Sequence, residues 1–543
     1  MRKGRRYYFH MTEYGRVRFG SEKPGGRYGF EKAISKKCDA YLTVWVALCL
    51  TILLSLCLTL IDGARRNGAR MEVECVTDIA LQSIFAEYHR ELMKQYNLFA
   101  IDASYGTALC SKSNIETHLR NYLEKNLNYD DVFLAKYLYG DLFGLELKEV
   151  RLSQGAILTD FGGAVFRRCA ADAMKAHVGL DLLKEIQNWM WHMEVNGLEE
   201  RDTQEEKKTL DDEIASYDGM KVQIKEEWET LEIENPTSKL EEKRKEGILK
   251  LVLSEEELSQ RVLNVGGLIG NRIKEGHASH GTMELEELSE TERVIEKFLF
   301  QEYLLQYMGR YGEEKENAAL CYQIEYLIAG NEIDVDNLRS VANRICAVRE
   351  AANAIYLVSC QEKMEEIRAV AQLVCTIITL PELTPLLEAA IVLGWAYAES
   401  VYDVKSLLAG KRVPLLKDDA TWHYGLKTAL KGDFQDEIQV EEWKETQKDD
   451  TQDKENEEDK KDGQGKETEE GLGYEDYLRI FMMLTDTDTV TIRAMELVEA
   501  DIRNTDGNGA FRLDGCYEMV EIYLQFDSLH GYEYKIRRQK SYT

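Results

Sequence analysis

Proline is scarce in this chain, which has only 5 prolines among 543 residues. Because proline breaks helices, and because Leu, Glu, Lys and Ala are abundant, the composition favours a predominantly helical protein. The hydrophobic share of 44% and the charged share of 31% are those of an ordinary globular protein. The length leaves room for about two to four domains. We therefore expect most of the chain to bury a core.

Positive charge is also in short supply, since the formal net charge is -30. Nucleic-acid binding needs clustered Lys and Arg to neutralise phosphates, so this composition excludes nucleic acid as a partner. Residues 1–40 are the exception, with eleven Lys and Arg against four acids, a net charge of +7. Residues 41–543 therefore carry -37. A basic arm followed by an acidic body is an orientation signal for a membrane protein.

Familiar catalytic motifs are missing. The sequence contains no H-E-x-x-H, G-x-S-x-G, C-x-x-C or P-loop motif. These motifs are typical of zinc proteases, serine hydrolases, redox proteins and nucleotide-binding proteins, respectively. Carboxylates are so plentiful that paired acids occur by chance, so they do not indicate a glycosidase. We predict no enzyme, with no catalytic, cofactor-binding or metal site and no cofactor.

Two short stretches contain residues that could bind a metal ion. His277 and His280 lie in a Gly-rich turn that offers no clear third ligand. Asn504–Gly509 starts like an EF-hand loop, but it begins with Asn504 instead of Asp, and its twelfth position is Gly515 instead of Glu. We interpret both stretches as ordinary turns.

Eight of the eleven cysteines follow residue 61. Several of them fall inside helical apolar patterns, which favours buried free thiols over a small disulfide scaffold. Oxidation in an exported domain is the alternative. These eight are Cys75, Cys110, Cys169, Cys321, Cys346, Cys360, Cys375 and Cys516.

Tyr41–Ile61 is a long hydrophobic run of 21 residues without charge, proline or glycine. At about 1.5 Å per residue a helix of this length spans roughly 31 Å, close to the thickness of the hydrocarbon core of a bilayer. A cleaved secretory signal and a buried core helix are the alternatives. A signal is usually shorter, and a buried helix of this length usually has a polar stripe. We predict a single transmembrane helix with the lipid bilayer as its partner.

The charges on either side of that run predict the topology. Under the positive-inside rule the basic arm stays in the cytoplasm and residues 62–543 lie outside the cell membrane. Arg65, Arg66 and Arg70 follow the apolar run and oppose this orientation, but the arm outnumbers them.

Periodicity indicates an α+β fold dominated by helices, with the transmembrane helix continuing into a long helix. In residues 198–263, apolar side chains recur at mostly three- and four-residue steps on both sides of Asn235–Ser238, which predicts a protruding antiparallel helical hairpin. Leu145–Leu152 resembles a strand that shifts register midway. On both sides of His530 and Gly531, apolar and polar residues alternate strictly. This alternation predicts a C-terminal β-hairpin in a small antiparallel sheet.

Ala369–Leu380 and Leu386–Ala398 are apolar but interrupted by Pro381 and Pro385. Neither half is long enough to span a membrane. We predict two buried helices around a corner, with a re-entrant membrane hairpin as the alternative.

The predicted organisation has seven parts. The stretch 444–470 carries twelve acids and six lysines and almost nothing apolar, which predicts disorder. The parts are a basic cytoplasmic arm (1–40), the transmembrane helix (41–61), the N-terminal part of an exported α+β body (62–197), the charged helical hairpin (198–263), a helical core region (264–432), an acidic disordered linker (433–471), and C-terminal helices with the β-hairpin (472–543).

Several blocks resemble a known family. They include Thr43–Trp45, Asp62–Arg65, Asp78–Tyr88, Leu98–Asp102, Tyr322–Gly330, Arg349–Asn353, Trp395–Ser400 and Tyr474–Arg479. Together they are similar to an uncharacterised family of bacterial membrane-anchored proteins, a domain of unknown function associated with Tad/Flp-type pilus gene clusters in Gram-positive anaerobes. The architecture also resembles TadE/TadG-like minor pilins. It departs from pilins because the apolar helix contains no acid, and because Ile34 stands where a Glu would follow a cleavage after Gly29.

The leading hypothesis is a membrane-anchored structural or assembly component of the cell envelope that acts through protein partners, as the resemblance to pilus-associated proteins implies. A membrane-tethered extracellular ligand-binding or sensor protein is the alternative. An exported hydrolase is a third hypothesis.

Overall fold

The computed structural model describes residues 31–542 apart from 108, 129–142, 176, 178, 200, 219–220, 225–226, 231–234, 255–257, 284–286, 379, 433 and 435–470. The chain divides into two compact units, residues 1–72 and 73–543. The first thirty residues of the predicted basic arm and nearly all of the predicted acidic linker therefore lie outside the described residues.

Helix α1 spans Glu31–Phe85 and contributes to both units. It is the one described helix that is long and apolar enough to cross a membrane, with a mean hydropathy of 2.6 over its best window. All side chains from Tyr41 to Ile61 are exposed except Cys49, which is half-buried. The prediction that the apolar segment continues into a long helix is confirmed.

The second unit holds sixteen further described helices. Ser289 and Glu292 form a reciprocal capping box at the start of one of them. The helices are α2 Arg90–Tyr96, α3 Lys112–Leu127, α4 Asp160–Met174, α5 Leu180–Val195, α6 Thr203–Ser216, α7 Ser238–Glu246, α8 Ile248–Val252, α9 Ile269–Lys274, α10 Glu290–Tyr307, α11 Gln323–Ala329, α12 Asp334–Ser359, α13 Gln361–Ile378, α14 Thr384–Leu408, α15 Leu426–Lys431, α16 Tyr474–Leu484 and α17 Thr487–Arg503.

The main sheet is antiparallel and is organised around its central strand. Its strands are β1 Ile101–Asp102, β2 Leu145–Ile157, β5 Cys516–Ser528 and β6 Glu533–Ser541. Strand β2 pairs with one edge of β5, and β1 and β6 share the other edge. A separate two-stranded sheet contains β3 Lys221–Ile224 and β4 Glu227–Thr230. The predicted α+β fold, predominantly helical with a small antiparallel sheet, is confirmed.

The C-terminal β-hairpin follows the predicted alternation. Along β5 the apolar side chains of Ile522, Leu524 and Phe526 are buried. In β6, Tyr534 lies opposite Phe526. Gly531 takes the left-handed conformation in the connecting turn, with φ of 80°.

Strand β2 also behaves as its sequence indicates. Its pairing with β5 shifts between Leu147 and Glu149 and again between Leu152 and Gln154. Each shift is a bulge that inserts an unpaired residue and lets the strand bend. The predicted midway shift of register is therefore confirmed, and the strand continues beyond the predicted end to Ile157.

The predicted helical hairpin in residues 198–263 is wrong in its first half. Instead of one long helix running up to Asn235, α6 ends at Ser216 and the β3–β4 ribbon follows. Val222 and Ile224 are β-branched and alternate with polar residues, a pattern that favours strand over helix.

The two flanking helices do not protrude either. Ile214 of α6 and Leu240 of α7 belong to the main hydrophobic core. Arg244 of α7 pairs with the buried Glu350 of α12 at 2.6 Å. Both helices are therefore part of the helical body, and the charges that suggested a solvated projection lie on their outer sides or in such pairs.

The predicted corner is confirmed, but only the second of the two helices predicted to be buried is buried along most of its length. Helices α13 and α14 meet at a short 3-10 turn, Pro381–Leu383. Most side chains of α14 are buried, including that of Trp395. Helix α13 buries only one face, and the apolar side chains of Leu373 and Ile377 stay exposed.

Candidate functional site

The last turns of α1 are fixed within the second unit by strand β6 and by Tyr542, the residue that follows it. Val73 and Ile84 are buried in the core beneath the sheet. The Tyr542 hydroxyl donates to the Phe85 carbonyl at 2.7 Å, and the two rings lie 4.6 Å apart. Arg538 pairs with Asp78 at 3.5 Å. The segment Val73–Phe85 is therefore held by hydrogen bonding, ring packing and charge together.

A pocket of about 610 Å³ opens among the helices of the second unit. Three segments far apart in the sequence line it: residues 310–322, the end of α14 through Arg412, and residues 473–479 at the start of α16. Its lining includes Tyr311, Tyr322 and Tyr474. A concave site of this size is large enough for a small-molecule ligand.

Charged side chains form an alternating ladder along the pocket. Glu475 and Asp476 stand in the first turn of α16, where acids also favour the helix N-terminus. Arg479 follows one turn later and bridges both acids. Arg310 then binds Glu475 at 2.8 Å, and Arg412 binds Asp476 at 2.9 Å. The helical spacing of α16 therefore sets the order of its three charges, and Arg310 and Arg412 add one charge at each end.

A buried carboxyl group lies behind the pocket wall. Glu325 of α11 has no exposed surface. One of its oxygens accepts hydrogen bonds from the Tyr474 hydroxyl at 2.6 Å and from the Tyr311 backbone N–H at 3.0 Å. The other oxygen, Oε2, has no hydrogen-bond partner among the described residues. Burial raises the pKa of Glu325 to about 7, although both hydrogen bonds favour the charged form.

A buried ion network lies in the helical core next to α16. Its charged residues belong to α12, α14 and the loop after α14. Arg349 of α12 is fully buried and binds Asp403 of α14 at 2.9 Å, and Tyr477 lies beside it. Lys417 bridges Asp403 and Glu399, which are also buried. Burial alone would raise the pKa of Asp403, but Arg349 and Lys417 hold it below its usual value. Because each buried charge must face its partner, these pairs favour one relative orientation of α12 and α14.

The pocket offers polar and aromatic contacts to a ligand. Its described lining contains no Ser, Thr, Cys, His or Lys side chain. Glu475 and Asp476 are both held by arginines. This lining provides hydrogen-bond donors, hydrogen-bond acceptors and aromatic surface.

The two stretches weighed as metal sites lie away from this pocket. His277 is exposed, with its ring 3.3 Å from Glu275. In Asn504–Gly509, the Asn508 amide donates to Thr505 at 2.8 Å, and Gly507 takes a positive φ. Within the described ranges, no three His, Cys, Asp or Glu residues are grouped to hold a metal ion.

The cysteines after residue 61 are free thiols in the structure. Cys75 is exposed, and Cys110 and Cys360 are half-buried. The five that are buried are Cys169, Cys321, Cys346, Cys375 and Cys516. Burial in apolar surroundings raises the pKa of Cys321, which keeps that thiol protonated.

Comparison with protein families gives one match. The sequence model of a family of unknown function, DUF5702, matches residues 226–528. That range is more than half of the chain and contains the pocket, Glu325 and the ion network. The chain belongs to this family. No curated protein and no solved structure matches it.

Membership of DUF5702 confirms that the chain is related to an uncharacterised family. The matched range does not include Tyr41–Ile61, so the membrane interpretation depends on that helix itself. DUF5702 has no assigned activity, so function must be argued from the residues.

Proposed function

We propose that this protein is a membrane-anchored structural or assembly component of the cell envelope, with its acidic body outside the cell. The observation that supports this most is the exposed apolar segment of α1. Fourteen large apolar side chains between Tyr41 and Ile61 are exposed, and water would not tolerate such a surface on a monomer. A bilayer covers it completely.

The body supports a mechanical role over a catalytic one. Arg538 of β6 and Tyr542, the residue that follows this strand, hold the last turns of α1. Buried charged side chains are paired with opposite charges within the body, as Arg349 is with Asp403. Such a body presents fixed surfaces, which suits contact with partner proteins.

The proposed setting is accessory to a Tad/Flp-type pilus. The resemblance in the sequence blocks supports this setting. The apolar helix lacks the glutamate that assists pilin assembly, and Ile34 stands at that spacing from Gly29. We therefore assign an accessory role at the membrane and not that of a fibre subunit.

Crosslinking in the native cell tests the proposal. The full chain, with an affinity tag after Thr543, is crosslinked in intact cells by a reagent that does not cross membranes, and it is then purified under denaturing conditions. We expect recovery of covalent adducts with pilus or envelope assembly proteins. A matched sample that is crosslinked after detergent lysis should lose them. If only cytoplasmic proteins are captured, or no adduct forms, the proposed role is wrong.

A further inference from the structure

The pocket beside α16 is electrically balanced. Three arginines and three acids line it. Each arginine is bound to at least one carboxylate of the protein, as Arg412 is to Asp476. Within the ladder, no arginine is therefore left unpaired for a phosphate or carboxylate, and no acid is left unpaired for a cation. The third lining acid, Glu314, is exposed and lies outside the ladder. This lining favours a ligand without net charge.

Paired charges still offer hydrogen bonds. A guanidinium has five N–H donors and a carboxylate about four acceptor sites, so a pair such as Arg412 and Asp476 keeps unused donors and acceptors side by side. Arg412 is 43% exposed and Asp476 20% exposed in their side chains. A hydroxyl group both donates and accepts, and two neighbouring hydroxyls match this arrangement.

Tyrosines complete the pocket. The ring of Tyr311 lies 5.8 Å from that of Tyr322 and 6.3 Å from that of Tyr474. Tyr311 is half-buried and lines the pocket. Glu325 holds the Tyr474 hydroxyl and the Tyr311 backbone from behind, so this aromatic wall is preorganised. Aromatic rings cover the C–H faces of a ligand that also has polar edges.

We propose that this pocket binds a neutral saccharide, through the Arg310–Glu475–Arg479–Asp476–Arg412 ladder and the Tyr311 ring. A peptide fits less well. Peptides are usually bound by a sheet edge, an apolar groove or unpaired arginines. The fifteen described lining residues belong to loops and helix ends, and the arginines among them are paired.

Saccharide binding is measured on the full chain by saturation-transfer NMR and calorimetry. An amine-oxide detergent is required, because maltoside and glucoside detergents would compete. The probes are cellobiose, chitobiose and maltose, with glucuronic acid and tetra-alanine as the charged and peptide comparisons. We expect at least one neutral disaccharide to bind with a Kd of about 1 mM or tighter, and glucuronic acid and tetra-alanine to bind at least about tenfold more weakly.

Two variants place the binding in the pocket. Ala409→Trp fills it, and Tyr311→Ala removes its aromatic face. Ala369→Trp on the exposed side of α13 is the matched control. We expect each pocket variant to weaken saccharide binding at least about tenfold, and the control to stay within about twofold.

The results distinguish a saccharide ligand of the pocket from a peptide ligand. If tetra-alanine binds more tightly than every disaccharide, the pocket is a peptide site and the proposal is overturned. Failure of every neutral disaccharide to bind the wild-type chain, or unchanged binding in a folded Tyr311→Ala variant, also overturns it. None of these results bears on the envelope role, which depends on α1.

Discussion

At the scale of single residues, the buried ionisable groups are the defining feature of this helical core. Arg349, Glu399 and Asp403 stand in the middle of apolar helices and are fully buried. Leaving any of them unpaired would cost several kcal/mol. Lys417 is supplied by the loop after α14. The sequence marks these residues as charges within apolar runs, but it does not show which distant residue pairs with which.

Glu325 makes stability depend on pH. Its pKa is about 7 in the folded protein and about 4.3 in an unfolded chain. The folded state therefore binds the proton more tightly, and this contribution is present below about pH 4 and lost as pH rises through about 7. Between pH 5 and pH 8, we expect the Glu325→Gln substitution to become more stabilising relative to wild type, by about 2 kcal/mol.

Thermal unfolding of both proteins in detergent at several pH values measures this difference. Glutamine keeps an acceptor for Tyr474 and Tyr311 and cannot ionise. Glu290→Gln, at an exposed surface position, is the control and should show no such trend. A constant difference in stability across the pH range would show that Glu325 is ionised in the folded protein throughout.

At the scale of elements, the sequence pattern predicts the features that depend on neighbouring residues. The alternation in β5 and β6, the capping box at Ser289 and the helix corner at Pro381 all depend on neighbours in sequence, and all were predictable. The β3–β4 ribbon was missed because its few apolar residues fit both helical and strand periods. The pocket could not be predicted, since residues 310, 412 and 479 come together only through the packing of α10, α14 and α16.

The contact between β6 and α1 gives a prediction for a single element. Tyr542→Ala removes a hydrogen bond to the Phe85 carbonyl and the ring contacts with Phe85 and Phe99. We expect a loss of about 2–4 kcal/mol in unfolding free energy. Tyr542→Phe keeps the ring and should lose only about 1 kcal/mol.

Chemical denaturation of the detergent-solubilised chain, followed by circular dichroism, measures both losses. Hydrogen exchange at residues 73–85 should accelerate in Tyr542→Ala. Equal stability of the alanine variant and wild type would mean that β6 does not hold this part of α1.

At the scale of the whole molecule, the envelope role requires α1 to lie in lipid. Ten Leu and Ile residues lie between Tyr41 and Ile61. At about -0.5 kcal/mol each near the helix centre, they favour insertion by about 5 kcal/mol, whereas two central arginines oppose it by about 6 kcal/mol. Replacing Leu50 and Leu53 by arginine should therefore abolish insertion. Leu373 and Leu529 are exposed leucines of the second unit and provide the matched pair of arginine replacements.

The most direct measurement is the partition of the full chain between membrane and soluble fractions after alkaline carbonate extraction. We expect wild type and the Leu373→Arg, Leu529→Arg variant to remain in the membrane pellet until detergent releases them, and the Leu50→Arg, Leu53→Arg variant to be soluble or degraded. A wild-type chain that is released by carbonate without detergent would contradict membrane anchoring, and the proposed envelope role with it.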